Sequence, residues 1–105
     1  MQEVSYAGGR FVTSDEVADA LLSYAAALAN AERAATIDVP AVAPDGPGVV
    51  KVLVGPASQI VAEPIAQDGP ELDASAFLDE VREAILRQQE KPRLPEQGSA
   101  LDWDV

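Results

Sequence analysis

Val49-Val50-Lys51-Val52-Leu53-Val54 is the stretch that decides the fold of this chain. Valine dominates it, and β-branched residues favour an extended conformation. Turn-forming residues bound it on both sides, with Pro44-Asp45-Gly46-Pro47-Gly48 before it and Gly55-Pro56-Ala57-Ser58 after it. A short apolar run between turns is typical of a strand. The run therefore predicts the central strand of a sheet.

The segments around this run also predict strands. Residues 60–65 follow the second turn and are expected to return beside the central run as a hairpin. Residues 36–42 contain alternating β-branched residues, but Pro40 has no backbone N–H to donate, so they predict an edge strand. Residues 3–12 contain Gly8-Gly9, which is typical of a tight turn, and predict a short strand or hairpin.

One helix is predicted before these strands. Val17, Leu21, Tyr24 and Leu28 form a single apolar stripe at helical spacing. The segment Thr13-Ser14-Asp15-Glu16 has the pattern of a capping box, in which Thr13 would cap the helix. The helix is expected to end within residues 30–33.

A second helix is predicted after them. Phe77, Val81 and Ile85 repeat every four residues, and Asp73 can accept hydrogen bonds from the first free amides of the helix. This helix is expected to continue to about residue 89.

The order of these elements predicts a two-layer α+β sandwich. It would contain two helices and an antiparallel sheet of three to five strands, in the order β-α-β-β-β-α. A chain of 105 residues supports one hydrophobic core, and we assign it to a single domain over residues 1–90. Residues 91–105 are expected to form a flexible acidic tail, because Pro92, Pro95 and Gly98 interrupt helix and strand alike.

The composition argues against most catalytic chemistry. Without cysteine the chain has no disulfide, zinc–thiolate site or thiol nucleophile, and without histidine it lacks the commonest general base. Asp15 and Asp19 share a helical face, but negative charge near a helix N-terminus is stabilised by the helix dipole without any metal. We therefore predict no catalytic residue, no metal ligand and no cofactor.

The net charge of −11 bears on partners and location. Such a charge repels the phosphate backbone, and the seven basic residues are scattered along the chain, so no nucleic-acid partner is expected. The N-terminal residues lack the basic start and apolar run of a secretory signal, and no segment is apolar enough to span a membrane. The sequence predicts a cytoplasmic protein without a membrane partner.

The only tryptophan lies in the acidic tail. Leu101, Trp103 and Val105 alternate with Asp102 and Asp104, so a strand here would present three apolar side chains on one face. One interpretation is that these three residues dock on a sheet edge of the same or another chain, with the strand containing Pro40 as an acceptor. The alternative is that the tryptophan folds loosely over its own domain.

Three functional hypotheses follow. The first is a non-enzymatic protein–protein interaction or assembly domain, self-associating as a homodimer or homo-oligomer. The second is an acidic decoy or inhibitor that occupies a basic site of a nucleic-acid enzyme or toxin, with binding that weakens steeply in salt. The third is a small enzyme that uses a carboxylate or a tyrosine, Tyr6 or Tyr24, in a pocket.

Overall fold

A computed structural model describes residues 1–66 and 68–90 of the chain. Two helices and five strands are present there, and the strands form antiparallel sheets, which confirms the α+β fold class. In chain order the elements are β1 (Gln2–Tyr6), β2 (Gly9–Thr13), α1 (Asp15–Asn30), β3 (Ala35–Ala43), β4 (Gly46–Val54), β5 (Ile60–Pro64) and α2 (Ser75–Glu90).

The strands are divided between two hydrogen-bonded sheets, ordered β2-β1-β5 and β3-β4. The N-terminal segment is a hairpin, with Ala7 and Gly8 between β1 and β2. Their φ angles are +52° and +82°, and positive φ at both central residues matches the twist of the flanking strands. This turn sets the register in which Val4 lies opposite Phe11.

Two predictions about the apolar run are wrong. The run lies in β4, which pairs with β3 alone among the described strands and so is not central. The expected hairpin with residues 60–65 is absent, because β5 pairs with β1 and places Ile60 opposite Tyr6. The short connection at residues 44–45 instead closes a regular hairpin between β3 and β4, and such local pairing costs little loop entropy.

A buried threonine links the two sheets. Thr13, the last residue of β2, is fully buried, and its hydroxyl donates to the Pro40 carbonyl of β3 at 2.6 Å. It is therefore not the helix cap that the sequence predicts. Ser14 caps α1 instead, accepting the Val17 N–H on its side-chain oxygen at 3.3 Å.

Both helices contribute to one core. The stripe predicted for α1 is confirmed, since Val17, Leu21, Tyr24 and Leu28 are all buried. In α2 the buried residues are Phe77, Val81 and Ala84, and the strands add Val4, Ile37, Val39, Val52 and Val54 to the same cluster. The Asp73 carboxylate accepts the Ser75 N–H at 3.3 Å, but Asp73 is not the predicted cap, because Ala74 precedes Ser75 and its carbonyl accepts the first helical N–H, that of Leu78. Neither helix is long and apolar enough to cross a membrane.

Candidate interaction surface

The face of β4 that points away from the core carries exposed apolar side chains. Val52 and Val54 are buried, whereas Val49 is 68% exposed and Leu53 is 56% exposed, with the exposed Lys51 between them. Val61 of β5 is 54% exposed and borders the same cleft as Leu53. We call Val49, Lys51, Leu53 and Val61 the outer β4 surface.

An open cleft of about 550 Å³ adjoins this surface at the end of β4. Its lining includes Ser5, Tyr6, Leu53, Ser58 and Val61, and none of its lining residues, all of them described, is an acid or a base of the Asp, Glu, Lys or Arg type. The Ser58 hydroxyl accepts the Gly55 N–H at 3.0 Å. The cleft therefore offers apolar contact beside the Tyr6 and Ser58 hydroxyl groups, both of which are bonded to the backbone.

The Tyr6 hydroxyl closes the edge of β4 at Leu53. It accepts the Leu53 N–H at 3.1 Å and donates to the Leu53 carbonyl. Both backbone groups of Leu53 thus point away from β3, although Leu53 lies opposite Thr36 of that strand. In antiparallel pairs, hydrogen-bonded and non-hydrogen-bonded positions alternate, so Leu53 and Thr36 form a non-hydrogen-bonded pair.

A second contact shows independently which β3–β4 pairs are hydrogen-bonded and which are not. Pro40 lies opposite Val49 in the hairpin. This pair is separated by an even number of residues from the pair of Leu53 with Thr36, so the two pairs must be of the same kind, hydrogen-bonded or not. The Pro40 carbonyl accepts from Thr13 on the far side of β3, so it does not point at β4. Its missing N–H therefore costs no ladder bond, in keeping with the prediction that Pro40 belongs at an edge.

The alternation leaves part of the β4 edge open. Because Val49 and Lys51 are in phase with Leu53, their N–H and C=O groups point away from β3. No hydrogen bond from the rest of the described chain reaches these four groups. Pro47 bounds the segment on one side because it has no N–H, and the Tyr6 contact bounds it on the other. We call the four backbone groups of Val49 and Lys51 the open edge.

The charge of this strand differs from that of the whole chain. β4 carries Lys51 and no carboxylate, within a protein of net charge −11. The Lys51 ammonium lies 3.1 Å from the Asp38 carboxylate of β3, and both side chains are exposed. Such a pair contributes at most about 1 kcal/mol to stability, but it leaves the β4 edge locally neutral.

The residues that the sequence singled out for catalysis are not brought together. Tyr24 is buried in the core, where burial raises the pKa of its phenol above the ordinary value, helped by the Glu80 charge and opposed by Arg87. Tyr6 lines the cleft at the end of β4, and Tyr24, which belongs to α1, is not among the residues of that cleft. Asp15 pairs with the Met1 amino group at 3.2 Å, and the described residues contain no group of three or more potential metal ligands.

Sequence reasoning identified a different contact segment and missed this one. Leu101, Trp103 and Val105, the predicted docking residues, lie outside the described part of the chain. The signal for the outer β4 surface is Lys51 itself, since a charged residue within an apolar strand predicts that one face is exposed. Pro47 and Lys51 are also residues that natural proteins place on edge strands.

A scan against protein-family models gives no match for this chain, and searches of curated proteins and of solved structures give none either. The outer β4 surface and the open edge are therefore the features from which a function is inferred.

Proposed function

We propose that the protein is a non-enzymatic protein-interaction domain that binds its partner through the outer β4 surface and the open edge. The observation that carries this proposal is the coincidence of the two features on one strand. Val49 and Leu53 are exposed on the outer face of β4, and the unpaired backbone groups of Val49 and Lys51 lie on the same segment.

Each feature alone is common in monomeric proteins. Single exposed apolar residues need no explanation, and every open sheet has edges. Together they supply what strand addition uses, because backbone groups provide hydrogen bonds and alternate side chains provide apolar contact. Burying a fully exposed leucine side chain contributes about 1.5–3 kcal/mol, so burying the 56% of Leu53 that is exposed contributes about half of that, which is a useful share of a weak complex.

The other two hypotheses gain less support from these contacts. A catalytic Tyr6 would need a free hydroxyl, yet both its donor and an acceptor lone pair are engaged by Leu53. An acidic decoy would present carboxylates to a basic partner, whereas the contact strand carries Lys51 as its charged residue. The proposal therefore retains the interaction domain as the function.

The experiment compares L53E with a matched control, L86E. Leu86 of α2 is 51% exposed, close to the value for Leu53, but it lies away from β4 in a groove between the helices. Both variants are used as immobilised bait in lysate of the cells that make the protein, and captured proteins are quantified by mass spectrometry. L53E is expected to reduce capture of the partner by about tenfold or more, because a carboxylate replaces the buried contact.

Capture by L86E should equal that of the unmodified protein. The circular dichroism spectra of both variants should match the spectrum of the unmodified protein, since both substitutions are at exposed positions. Equal capture by L53E and the unmodified protein, or a loss confined to L86E, would show that the outer β4 surface is not the contact site.

A further inference from the structure

We infer that the open edge pairs with the β4 strand of a second copy, antiparallel and in a register centred on Val50. This inference rests on the proposed function and names its partner. In that register Val49 of each copy lies opposite Lys51 of the other, and Pro47 lies opposite Leu53. A two-fold axis relates the copies, as in most protein dimers.

The hydrogen-bonding groups of the open edge fit this partner. The opposed Val49 and Lys51 exchange two hydrogen bonds, and symmetry repeats them, so four bonds satisfy all four backbone groups in each copy. The ladder ends beyond these two pairs, because the Tyr6 hydroxyl already occupies the edge at Leu53 and Pro47 of the other copy therefore forms no bond there. The two ends of the open edge therefore match each other under the two-fold axis.

The side chains of the strand also suit this register. Val50 is half-buried and packs against the core, so the axis brings two valines together on the inner side. On the outer side the aliphatic part of Lys51 would cover the exposed Val49 of the other copy. Two kinds of apolar contact then accompany the four hydrogen bonds.

Charge favours this strand as the site of self-contact. β1, β3 and β5 each carry a carboxylate, whereas β2 and β4 carry none, and of these two only β4 also has exposed large apolar side chains, at Val49 and Leu53. The charged side chain of β4, Lys51, is paired with Asp38 of its own chain. Two copies of net charge −11 repel each other elsewhere, so β4 is where they can approach at low cost. Added salt should strengthen the dimer by screening the remaining repulsion.

The test is sedimentation equilibrium of the purified full-length protein from about 10 μM to about 1 mM, a range suited to a weak dimer. The unmodified protein is expected to dimerise as concentration rises. K51P should remain monomeric, because proline removes an open-edge N–H without removing a bond to β3. Its circular dichroism reports whether it has folded.

A second pair of variants tests the register without any backbone change. V49E places a carboxylate opposite Lys51 of the second copy, and V49K places an ammonium group there. Because each cross-strand pair occurs twice in the dimer, V49K should dimerise about tenfold more weakly than V49E. The two variants differ by charge at one exposed position, so each serves as the control for the other. If K51P does not fold, the comparison of V49E with V49K tests the inferred dimer without it.

The inference is overturned if the unmodified protein stays monomeric to about 1 mM, if folded K51P dimerises unchanged, or if V49K dimerises as tightly as V49E. If the protein is monomeric and L53E still abolishes capture from lysate, the proposed function stands and the partner is a different protein. If the protein is monomeric and L53E does not change capture, both the proposed function and the inferred dimer are wrong.

Discussion

Replacing Leu21 by alanine is expected to lower the free energy of unfolding by about 3 kcal/mol. Leu21 is fully buried on α1, within the cluster that joins the helices to the strands. Truncation removes apolar contacts and leaves a cavity that close-packed neighbours fill only in part. Because a small domain has about 5–15 kcal/mol of stability, the loss should be evident in urea unfolding.

Leu86→Ala is the control for this substitution. It makes the same chemical change at a position that is half exposed on α2, and it should cost no more than about 0.5 kcal/mol. Comparable losses for the two variants would mean that the α1 stripe does not form the centre of the core.

Replacing Thr13 by valine is expected to cost about 2 kcal/mol. The two side chains have nearly the same shape, so the change removes the hydroxyl and little else. The Pro40 carbonyl loses the hydrogen bond that joins β3 to β2, at a position where Thr13 itself is fully buried. The Pro40 carbonyl lies in a partly buried site, and leaving an acceptor unpaired there costs more than the net value of an ordinary hydrogen bond.

Thr36→Val provides the comparison, since Thr36 lies on the same hairpin with an exposed side chain. It should change the free energy of unfolding by less than about 0.5 kcal/mol. Thermal or urea unfolding measures both variants. Equal stability of the Thr13 and Thr36 variants would contradict the role of Thr13 as the link between the sheets.

The sequence predicts the helices better than it predicts the sheets. Helical periodicity is a local property, and Val17, Leu21, Tyr24 and Leu28 are buried as their spacing indicates. The cap was misplaced by one residue, because threonine and serine both cap helices and the bond that commits Thr13 to Pro40 is formed with a distant strand.

Strand pairing depends on contacts between distant residues, and here sequence reasoning failed. The turn at residues 55–58 was interpreted as a hairpin, yet β5 continues past β4 to pair with β1. Nothing local to β5 specifies that partner. The Tyr6 hydroxyl lies at the end of β4, where a neighbouring strand would otherwise pair. It contacts Leu53, which is 47 positions away in the chain.

The candidate surface follows from this difference in pairing. A central strand would bury the backbone edge at Val49 and Lys51, so the prediction of a central strand places no interface there. With β4 paired on one side, the same residues become the open edge. The lysine within the apolar run was the available signal, and its alternation with buried valines shows which face is exposed.

Amide hydrogen exchange at β4, measured in dilute and concentrated solution, tests the open edge and its use most directly. At low concentration Val49 and Lys51 should exchange rapidly, while Val50 and Val52, bonded to β3, should be protected. At high concentration Val49 and Lys51 should become protected as the strands of two copies pair. Slow exchange at these two amides in dilute solution, or rapid exchange at every concentration, would contradict the account.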